Sequence, residues 1–201
     1  LPTLINSLEI KPSLNPTQLF DYLHYFGTSD YNNQTFFKNI YQLLPGHYLE
    51  YSLNSHSFKI NKFWSAQLQD PVNITQEDAA CKLQGLFKQS VKKHLESDVD
   101  IAVALSGGID SSAIACVINS LHPEKKINTF SYLSEDPKQS EKKFIDIINN
   151  KINSSPHFIT ISSKQFINDL PNFIAQQAQP FRTSSMYSQY RVFQSIHEHH
   201  F

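Results

Sequence analysis

A short run of glycine, acid and hydroxyl residues is the part of the sequence best suited to chemistry. It reads SGGIDSS from Ser106 to Ser112 and directly follows an apolar run at residues 101–105. Gly107 and Gly108 are two of the five glycines in the chain. Glycine admits backbone dihedrals that other residues avoid and lets a ligand come close, so the N–H groups of such a turn converge on an anion. We therefore expect the turn to bind a phosphate.

The residue types of this turn limit how it would hold a phosphate. The sequence contains neither G-x-x-x-x-G-K-[ST] nor the three-glycine dinucleotide fingerprint. Because the turn has no lysine, the contacts must come from backbone N–H groups, from the positive end of the next helix and from the hydroxyls of Ser106, Ser111 and Ser112. Asp110 is placed to hold a Mg²⁺ ion that neutralises phosphate oxygens. The alternative is an ordinary strand-to-helix turn with Asp110 or a serine as N-cap.

Two other polar groups near the end of the chain have simpler interpretations. The sequence HEHH at residues 197–200 resembles a metal-binding cluster, but a polar helix end favours solvated side chains, and we predict no metal there. Arg182 and Arg191 could contact a phosphate or a carboxylate, although surface or capping roles are favoured.

The elements that must position the turn follow a strand–helix–strand–helix–strand order. The strands are predicted at residues 101–105, 127–132 and 157–161, and the helices at about 110–121 and 140–151. This alternation predicts an α/β fold with a parallel sheet and right-handed crossovers. Ligands of such sheets bind at the carboxyl ends of the strands, where residues 106–110 lie. Two further helices, at about 163–177 and 184–199, flank the segment 178–183.

A different pattern occupies the first 65 residues. The spacing of apolar residues predicts a short amphipathic helix within residues 14–27, with a face formed by Leu19, Phe20, Leu23 and Phe26. Residues 47–53 and 57–63 are rich in Tyr, Phe and Ile and predict a β-hairpin. We expect its aromatic side chains to pack in the core and in an interface; they are Tyr48, Tyr51, Phe58, Phe63 and Trp64.

A boundary separates the two patterns. Residues 65–73 lack periodicity and contain a central proline, which predicts a linker between domains. Thr75 and Asp78 then resemble a capping box at the start of a helix that ends near Leu95. The predicted apolar face of this helix consists of Ala79, Leu83, Leu86, Phe87 and Val91.

Composition excludes several classes of partner. The 201 residues carry a formal charge of -1, with 17 basic and 18 acidic residues, so nothing favours a nucleic acid or a membrane surface as partner. We find neither a leader pattern nor a long apolar run. Cys81 and Cys116 lie in apolar helical patterns and are predicted to be buried free thiols, which favours the cytoplasm. The first residue is Leu1 and the only methionine is Met186, so we expect a piece of a longer protein.

The glycine turn resembles the S-G-G-x-D-S signature of the PP-loop ATP pyrophosphatases, which cleave ATP between its α and β phosphates. Within that superfamily the chain is most similar to the glutamine-dependent asparagine synthetase family. The segments that carry the similarity are residues 104–112 (ALSGGIDSS), Thr129-Phe130-Ser131, Pro180-Phe181 and, upstream, residues 44–49 (LPGHYL).

The resemblance implies an arrangement of two domains. Residues 66–201 would be the N-terminal part of the synthetase ATP-binding domain, with a parallel sheet of the adenine nucleotide alpha hydrolase-like type. Residues 1–65 would be the helix and hairpin that close an N-terminal-nucleophile glutaminase domain.

The resemblance also implies an ATP site. The pyrophosphate would lie on Ser106, Gly107, Gly108, Ser111 and Ser112, and Mg²⁺ on Asp110, which is then the catalytic residue of this segment. Ala104 and Leu105 belong to the same ATP-binding segment. Adenine would lie against the backbone of Ala104 and of Tyr132, where the family usually has a smaller aliphatic residue.

The implied reaction adenylates the side-chain carboxylate of aspartate, releases pyrophosphate and forms asparagine with ammonia from glutamine. A homodimer is one expected assembly. The chain lacks the N-terminal cysteine nucleophile of the family, and the acidic glycine-rich segment and catalytic lysine would follow Phe201. Ala178-Gln179 stands where acids are common. We therefore expect the isolated piece to bind ATP poorly and to be inactive.

Two alternatives remain open. One is a related ligase that acts on another carboxylate, such as a macrolactam or β-lactam synthetase or a polysaccharide amidotransferase. The other is a non-catalytic nucleotide-binding module.

Overall fold

A computed structural model describes residues 2–7, 11–25, 32–68, 70–136, 138 and 140–201. The chain divides into two compact units, Leu1–Val72 and Asn73–Phe201. None of the helices in these described ranges combines the length and apolar character needed to cross a membrane.

The first unit begins with two helices, α1 (Pro2–Ser7) and α2 (Pro16–Tyr25). The predicted helix is present in α2, but most of its predicted face is wrong. Gln18 and Tyr22 are buried, whereas Phe20 and Leu23 are exposed. The reason is a tertiary contact, because the Tyr22 ring packs edge-on against Phe36 and draws that side of the helix inward. Phe26 and Gly27 lie outside the described residues.

The predicted hairpin is confirmed. Strands β1 (His47–Ser52) and β2 (Ser57–Lys62) pair antiparallel, with His47 opposite Lys62. Gly46 closes the open end of the hairpin with φ 71°, and its carbonyl accepts from the N–H groups of Phe63 and Trp64. An added Cβ at Gly46 would lie 2.2 Å from the Trp64 carbonyl oxygen, so this position requires glycine.

The prediction of a hairpin core is wrong. The predicted aromatic residues are exposed; they are Tyr48, Tyr51, Phe58, Phe63 and Trp64. A two-stranded sheet buries side chains only where another layer covers it. Packing of these rings in an interface stays a prediction.

The second unit contains the predicted alternation of strands and helices. Its elements are α3 (Gln76–His94), β3 (Ala102–Ala104), α4 (Ile109–Leu121), β4 (Ile127–Tyr132), α5 (Lys142–Lys151), β5 (Ser154–Ile159), α6 (Ser163–Gln177) and α7 (Ser185–Glu198). The three strands form a parallel sheet in the order β3-β4-β5, which confirms the predicted α/β class.

The start of β5 differs from the prediction by three residues. Ser154 and Pro156 pair with Ile127 and Thr129 of β4, although Ser-Ser-Pro is typical of a turn. The strand lies at an edge of the sheet, where proline is tolerated because its missing N–H need not serve a second neighbour.

The core of this unit lies on both faces of β4. One cluster joins the sheet to α3, α4 and α5 and includes the buried residues Leu105, Ala115 and Ile145. The other joins Phe130 and Ile159 to Val192 of α7. Helix α7 is therefore attached directly to the sheet that carries the glycine turn.

Helix α3 follows its predicted pattern only in part. The Thr75 hydroxyl accepts from the Asp78 N–H at 3.1 Å, which confirms the predicted cap. Val91 is buried against the core, but Leu83 and Leu86 are 68% and 56% exposed, because only the C-terminal half of α3 packs against the sheet layer.

Both cysteines are free, as predicted, but they are not buried. Cys81 is exposed and Cys116 is half-buried. Cys81 lies in the half of α3 that does not reach the core.

Candidate functional site

The glycine turn connects the end of β3 to the start of α4 at the carboxyl edge of the sheet. Gly108 is the N-cap of α4 and no side chain caps this helix, so Asp110 and the serines are not its N-cap. None of the hydrogen bonds within the described residues uses the N–H groups of Ile109, Asp110 or Ser111. These three donors lie at the positive end of α4 and are available to an anion.

Gly107 is required by both conformation and space. Its φ is 84°, a region that side chains with a Cβ avoid. A Cβ at this position would lie 3.2 Å from Ile145 Cγ1 and 3.3 Å from both the Glu141 carbonyl oxygen and Phe144 Cβ. The turn therefore passes directly over the start of α5. The fold therefore requires glycine at position 107 whether or not a ligand binds.

Gly108 has ordinary dihedrals, with φ -69° and ψ 164°. Among the described residues, a Cβ there would meet only the Ser106 hydroxyl, at 3.3 Å. The missing side chain at Gly108 thus keeps the space beside Ser106 clear, as close approach of a ligand requires.

Two serine hydroxyls hold the turn together. The Oγ atoms of Ser106 and Ser111 are 3.0 Å apart, and Ser111 Oγ accepts from the Ser106 N–H at 3.3 Å. Ser106 Oγ accepts from the Gly108 N–H at 3.3 Å, and Ser111 Oγ donates to the Gly108 carbonyl at 3.3 Å. The hydroxyls therefore fix the turn from within, and their hydrogen bonds do not use the N–H groups of Ile109, Asp110 and Ser111.

We expect Ser111→Ala to lower the free energy of unfolding by about 1 kcal/mol, since the Ser106 N–H loses its acceptor. Chemical denaturation measures the loss. Ser112→Ala is the matched control, because the Ser112 hydroxyl has no hydrogen bond within the described residues, and it should change stability by less than about 0.5 kcal/mol. Equal losses in both variants would contradict the role of the Ser106–Ser111 pair.

Asp110 lies in the first turn of α4 and its side chain is exposed. It forms no ion pair with any described residue. Its carboxylate is therefore accessible to a cation, and its role as a magnesium ligand stays a prediction. Over the described parts of the chain, no group of three or more potential metal-binding side chains comes together.

A cleft of about 400 Å³ opens beside the turn, at the carboxyl ends of β3 and β4. Four of the predicted site residues line it: Ala104, Leu105, Ser106 and Tyr132. The other predicted site residues lie in the adjoining turn and first turn of α4, outside this lining: Gly107, Gly108, Asp110, Ser111 and Ser112. The volume is in the range of small-molecule sites.

The rest of the cleft wall was not predicted from the sequence. Helix α7 contributes Ser185, Met186, Ser188, Gln189 and Val192, and Phe130 and Glu141 complete the lining. One sequence pattern could have indicated the polar part of this wall, since residues 185, 188 and 189 recur at the spacing of one helix face. Glu141 adds a second exposed acid near the turn.

Arg191 binds another part of the protein. Its Nη1 donates to Asp169 Oδ2 at 3.0 Å and to Gln194 Oε1 at 3.0 Å. The Tyr187 hydroxyl donates to the same Asp169 oxygen at 2.6 Å. Arg191 therefore forms a partly buried ion pair between α7 and α6, and neither a ligand contact nor a surface or capping role describes it. The role of Arg182 stays a prediction.

Titration of Tyr187 is predicted to make the free energy of unfolding depend on pH. Burial raises the pKa of Tyr187 above its ordinary value of 10.0, and the hydrogen bond to Asp169 and the negative charge of that carboxylate raise it further. Because the folded state holds this proton more tightly than the unfolded state, the stabilisation is complete below about pH 10 and is lost as the pH rises above it.

We expect Tyr187→Phe to reduce the alkaline loss of stability. Denaturation curves between pH 8 and pH 11, roughly the range around the tyrosine pKa, measure the difference from the unmodified protein. Tyr190→Phe is the control and should keep the loss. A Tyr187→Phe curve parallel to that of the unmodified protein would contradict the assignment.

His199, the C-cap of α7, makes ring contacts within the protein. The His199 ring lies 4.6 Å from that of His157, and His157 stacks on Phe130 at 4.4 Å. Burial lowers the pKa of His157, and the nearby His199 lowers it further.

Together, the parallel sheet, the glycine turn at its carboxyl edge and the adjoining cleft define an α/β protein with a cleft of small-molecule size at the strand ends. Comparison with known families identifies the family to which this α/β protein belongs. The sequence model of the asparagine synthase family matches residues 82–201, and the chain belongs to this family.

The chain is also similar to curated proteins, among them two asparagine synthetases. The chain is 36% identical over 108 residues to asparagine synthetase [glutamine-hydrolyzing] 2 of Bacillus subtilis, which is 50% of the chain and 14% of that protein. It is 30% identical over 112 residues to asparagine synthetase [glutamine-hydrolyzing] 3 of the same organism, which is 54% of the chain and 17% of that protein. It is also 35% identical over 92 residues to amidase chyE of Penicillium rubens, which is 44% of the chain and 14% of that protein. The matches thus span only 14% to 17% of the length of these relatives.

Proposed function

We propose that the protein containing this chain is an ATP-dependent carbon–nitrogen ligase of the asparagine synthase type. It would adenylate the side-chain carboxylate of aspartate and form asparagine, AMP and pyrophosphate with ammonia from glutamine. Under this proposal residues 66–201 belong to the synthetase domain and residues 1–65 to the glutaminase domain. The enzyme would be cytoplasmic and would form a homodimer.

The observation that carries the proposal is the set of donors at the glycine turn. Three unused N–H groups at the start of α4 lie at its positive end, and Gly108 leaves the approach to them open. This donor set fits a polyphosphate, whose oxygens accept hydrogen bonds from converging backbone N–H groups. The cleft beside Ala104 and Tyr132 supplies a partly apolar space for the adenosine part.

The acids near the turn fit a magnesium ion. Asp110 and Glu141 are both exposed carboxylates, and oxygen ligands of this kind suit Mg²⁺. Asp110 would hold the ion against the phosphate oxygens. Without the cation, the negative charge of Asp110 beside the phosphates would repel them.

ATP supplies the chemistry that makes the carboxylate reactive. A carboxylate oxygen attacks the α-phosphorus, the bond from that phosphorus to the bridging oxygen breaks, and pyrophosphate leaves. Ammonia then attacks the acyl carbon and AMP leaves. The residues of this chain would hold the leaving pyrophosphate through the N–H groups of Ile109, Asp110 and Ser111, and the cleft wall on α7 would limit the access of water.

A second candidate is a related ligase that acts on a different carboxylate. The similarity to amidase chyE favours keeping it open, since that relative matches nearly as well over a similar stretch. The non-catalytic nucleotide-binding module is the third candidate.

Product analysis on the longest reading frame that carries these residues separates the candidates. With ATP, Mg²⁺, aspartate and ammonium or glutamine, we expect AMP, pyrophosphate and asparagine. Formation of AMP with another carboxylate but not with aspartate would favour the second candidate. ATP binding without turnover of any carboxylate would favour the binding module, and absence of ATP binding would contradict the proposal.

A further inference from the structure

Helix α7 forms one wall of the cleft, and Tyr187 in its first turn packs against α6. Its N-cap, Ser184, makes no side-chain capping bond, and residues 178–184 before it contain no strand and only a turn entering the helix. The apolar attachment to the sheet comes later, where Val192 contacts Phe130 and Ile159. The residues of α7 that line the cleft lie between Ser185 and Val192, and all but Val192 come before this attachment.

The opposite face of these turns is tied to α6 by one carboxylate. Tyr187 is 2% exposed, and its hydroxyl and Arg191 Nη1 both donate to Asp169 Oδ2, at 2.6 Å and 3.0 Å. Tyr187 and Arg191 are four residues apart and therefore lie one turn apart on the same side of α7. A single oxygen on α6 thus accepts hydrogen bonds from two successive turns of α7.

The surroundings leave this contact little freedom. The Tyr187 ring packs edge-on against Phe166 at 4.9 Å and against Phe173 at 5.4 Å, which fixes the direction of its hydroxyl. With its carboxamide oxygen toward Arg191, Gln165 accepts from Nη2 at 2.7 Å. The guanidinium is therefore also held by a second residue of α6.

We propose that Tyr187, Asp169 and Arg191 form a positioning brace that holds Ser185, Ser188 and Gln189 in place at the cleft and thereby sets the affinity for ATP. This inference rests on the proposed function. None of the three brace residues lines the cleft. They act on the ligand only through the wall that they hold.

Tyr187→Phe tests the brace, because it keeps the ring and removes only the hydroxyl. In the longest reading frame that carries the chain, we expect a several-fold higher KM for ATP in carboxylate-dependent ATP–pyrophosphate exchange, with kcat unchanged, since the wall binds ground state and transition state alike. Hydrogen exchange at residues 184–189 should become about 10-fold faster, and exchange in α4 should not change. Asp146→Asn is the control, because it breaks an exposed ion pair with Lys142 on α5 and should leave both measurements unchanged.

The two measurements separate failure of the brace from failure of the proposed function. Unchanged hydrogen exchange at residues 184–189 would overturn the brace, and so would faster exchange there with an unchanged KM. Equally faster exchange in α4 would reveal general destabilisation and would also overturn it. If the unmodified protein neither binds nor turns over ATP, the proposed function fails, and the assignment to ATP affinity fails with it, while hydrogen exchange still decides whether the three residues hold the wall.

Discussion

Gly107→Ala is expected to unfold the second unit at a much lower denaturant concentration than the unmodified protein. The residue has φ 84°, and an added Cβ would lie 3.2 Å from Ile145 Cγ1 and 3.3 Å from the Glu141 carbonyl oxygen. The strained backbone alone costs about 1–3 kcal/mol, and displacing the buried Ile145 against α4 adds to that cost. Because Gly107 is part of the turn proposed to bind the phosphates, ATP binding should be lost together with stability.

Gly85→Ala is the matched control for this substitution. Gly85 lies in the middle of α3, and an added Cβ there meets no atom within 4 Å. Alanine is favoured over glycine in a helix, so this variant should gain about 0.5–1 kcal/mol. Chemical denaturation of both variants is the measurement. A Gly107→Ala variant as stable as the unmodified protein would show that the turn does not have the conformation described above.

Asp110→Asn is expected to abolish Mg²⁺-dependent ATP–pyrophosphate exchange while leaving the fold intact. The side chain is exposed and forms no ion pair within the described residues, so its removal should cost less than about 1 kcal/mol, which is the contribution of an acid near a helix N-terminus. If Asp110 holds the cation at the leaving pyrophosphate, the exchange rate should fall about 100-fold or more. Raising the Mg²⁺ concentration should restore part of the lost rate.

Glu77→Gln provides the control for the electrostatic effect of a helix terminus. Glu77 is the second residue of α3, as Asp110 is of α4, but it lies far along the chain from the glycine turn. Its substitution should cost a similar small amount of stability and leave exchange unchanged. Exchange that survives in Asp110→Asn at an undiminished rate would rule out the proposed magnesium ligand.

Local sequence patterns predicted the framework of the second unit because the spacing of apolar residues and the residues at the ends of each helix or strand are visible in short segments. The order of strands and helices, the Thr75 cap and the position of the turn all follow from such segments. The start of β5 did not, because the edge position that tolerates Pro156 depends on which strand lies beside it.

The part of the site that could not be predicted comes from distant contacts. Ser106 and Gln189 are more than eighty residues apart in the sequence, and only the packing of Val192 against the sheet places them in one cleft. The same limit applies to Arg191, whose residue type suits a phosphate equally well, and only the fold shows Asp169 within 3.0 Å. The aromatic residues of the hairpin likewise led us to predict burial, but these side chains are exposed in the first unit.

The central claim is that the glycine turn binds the phosphates of ATP through the backbone at the start of α4. Titration of the isotopically labelled chain with ATP and Mg²⁺ to millimolar concentration, followed by amide chemical shifts, tests it directly. We predict the largest shift changes at Ile109, Asp110 and Ser111, whose N–H groups are unused within the described residues, with smaller changes in Asp110→Asn. Saturable changes confined to other regions, with these three amides unmoved, would contradict the account.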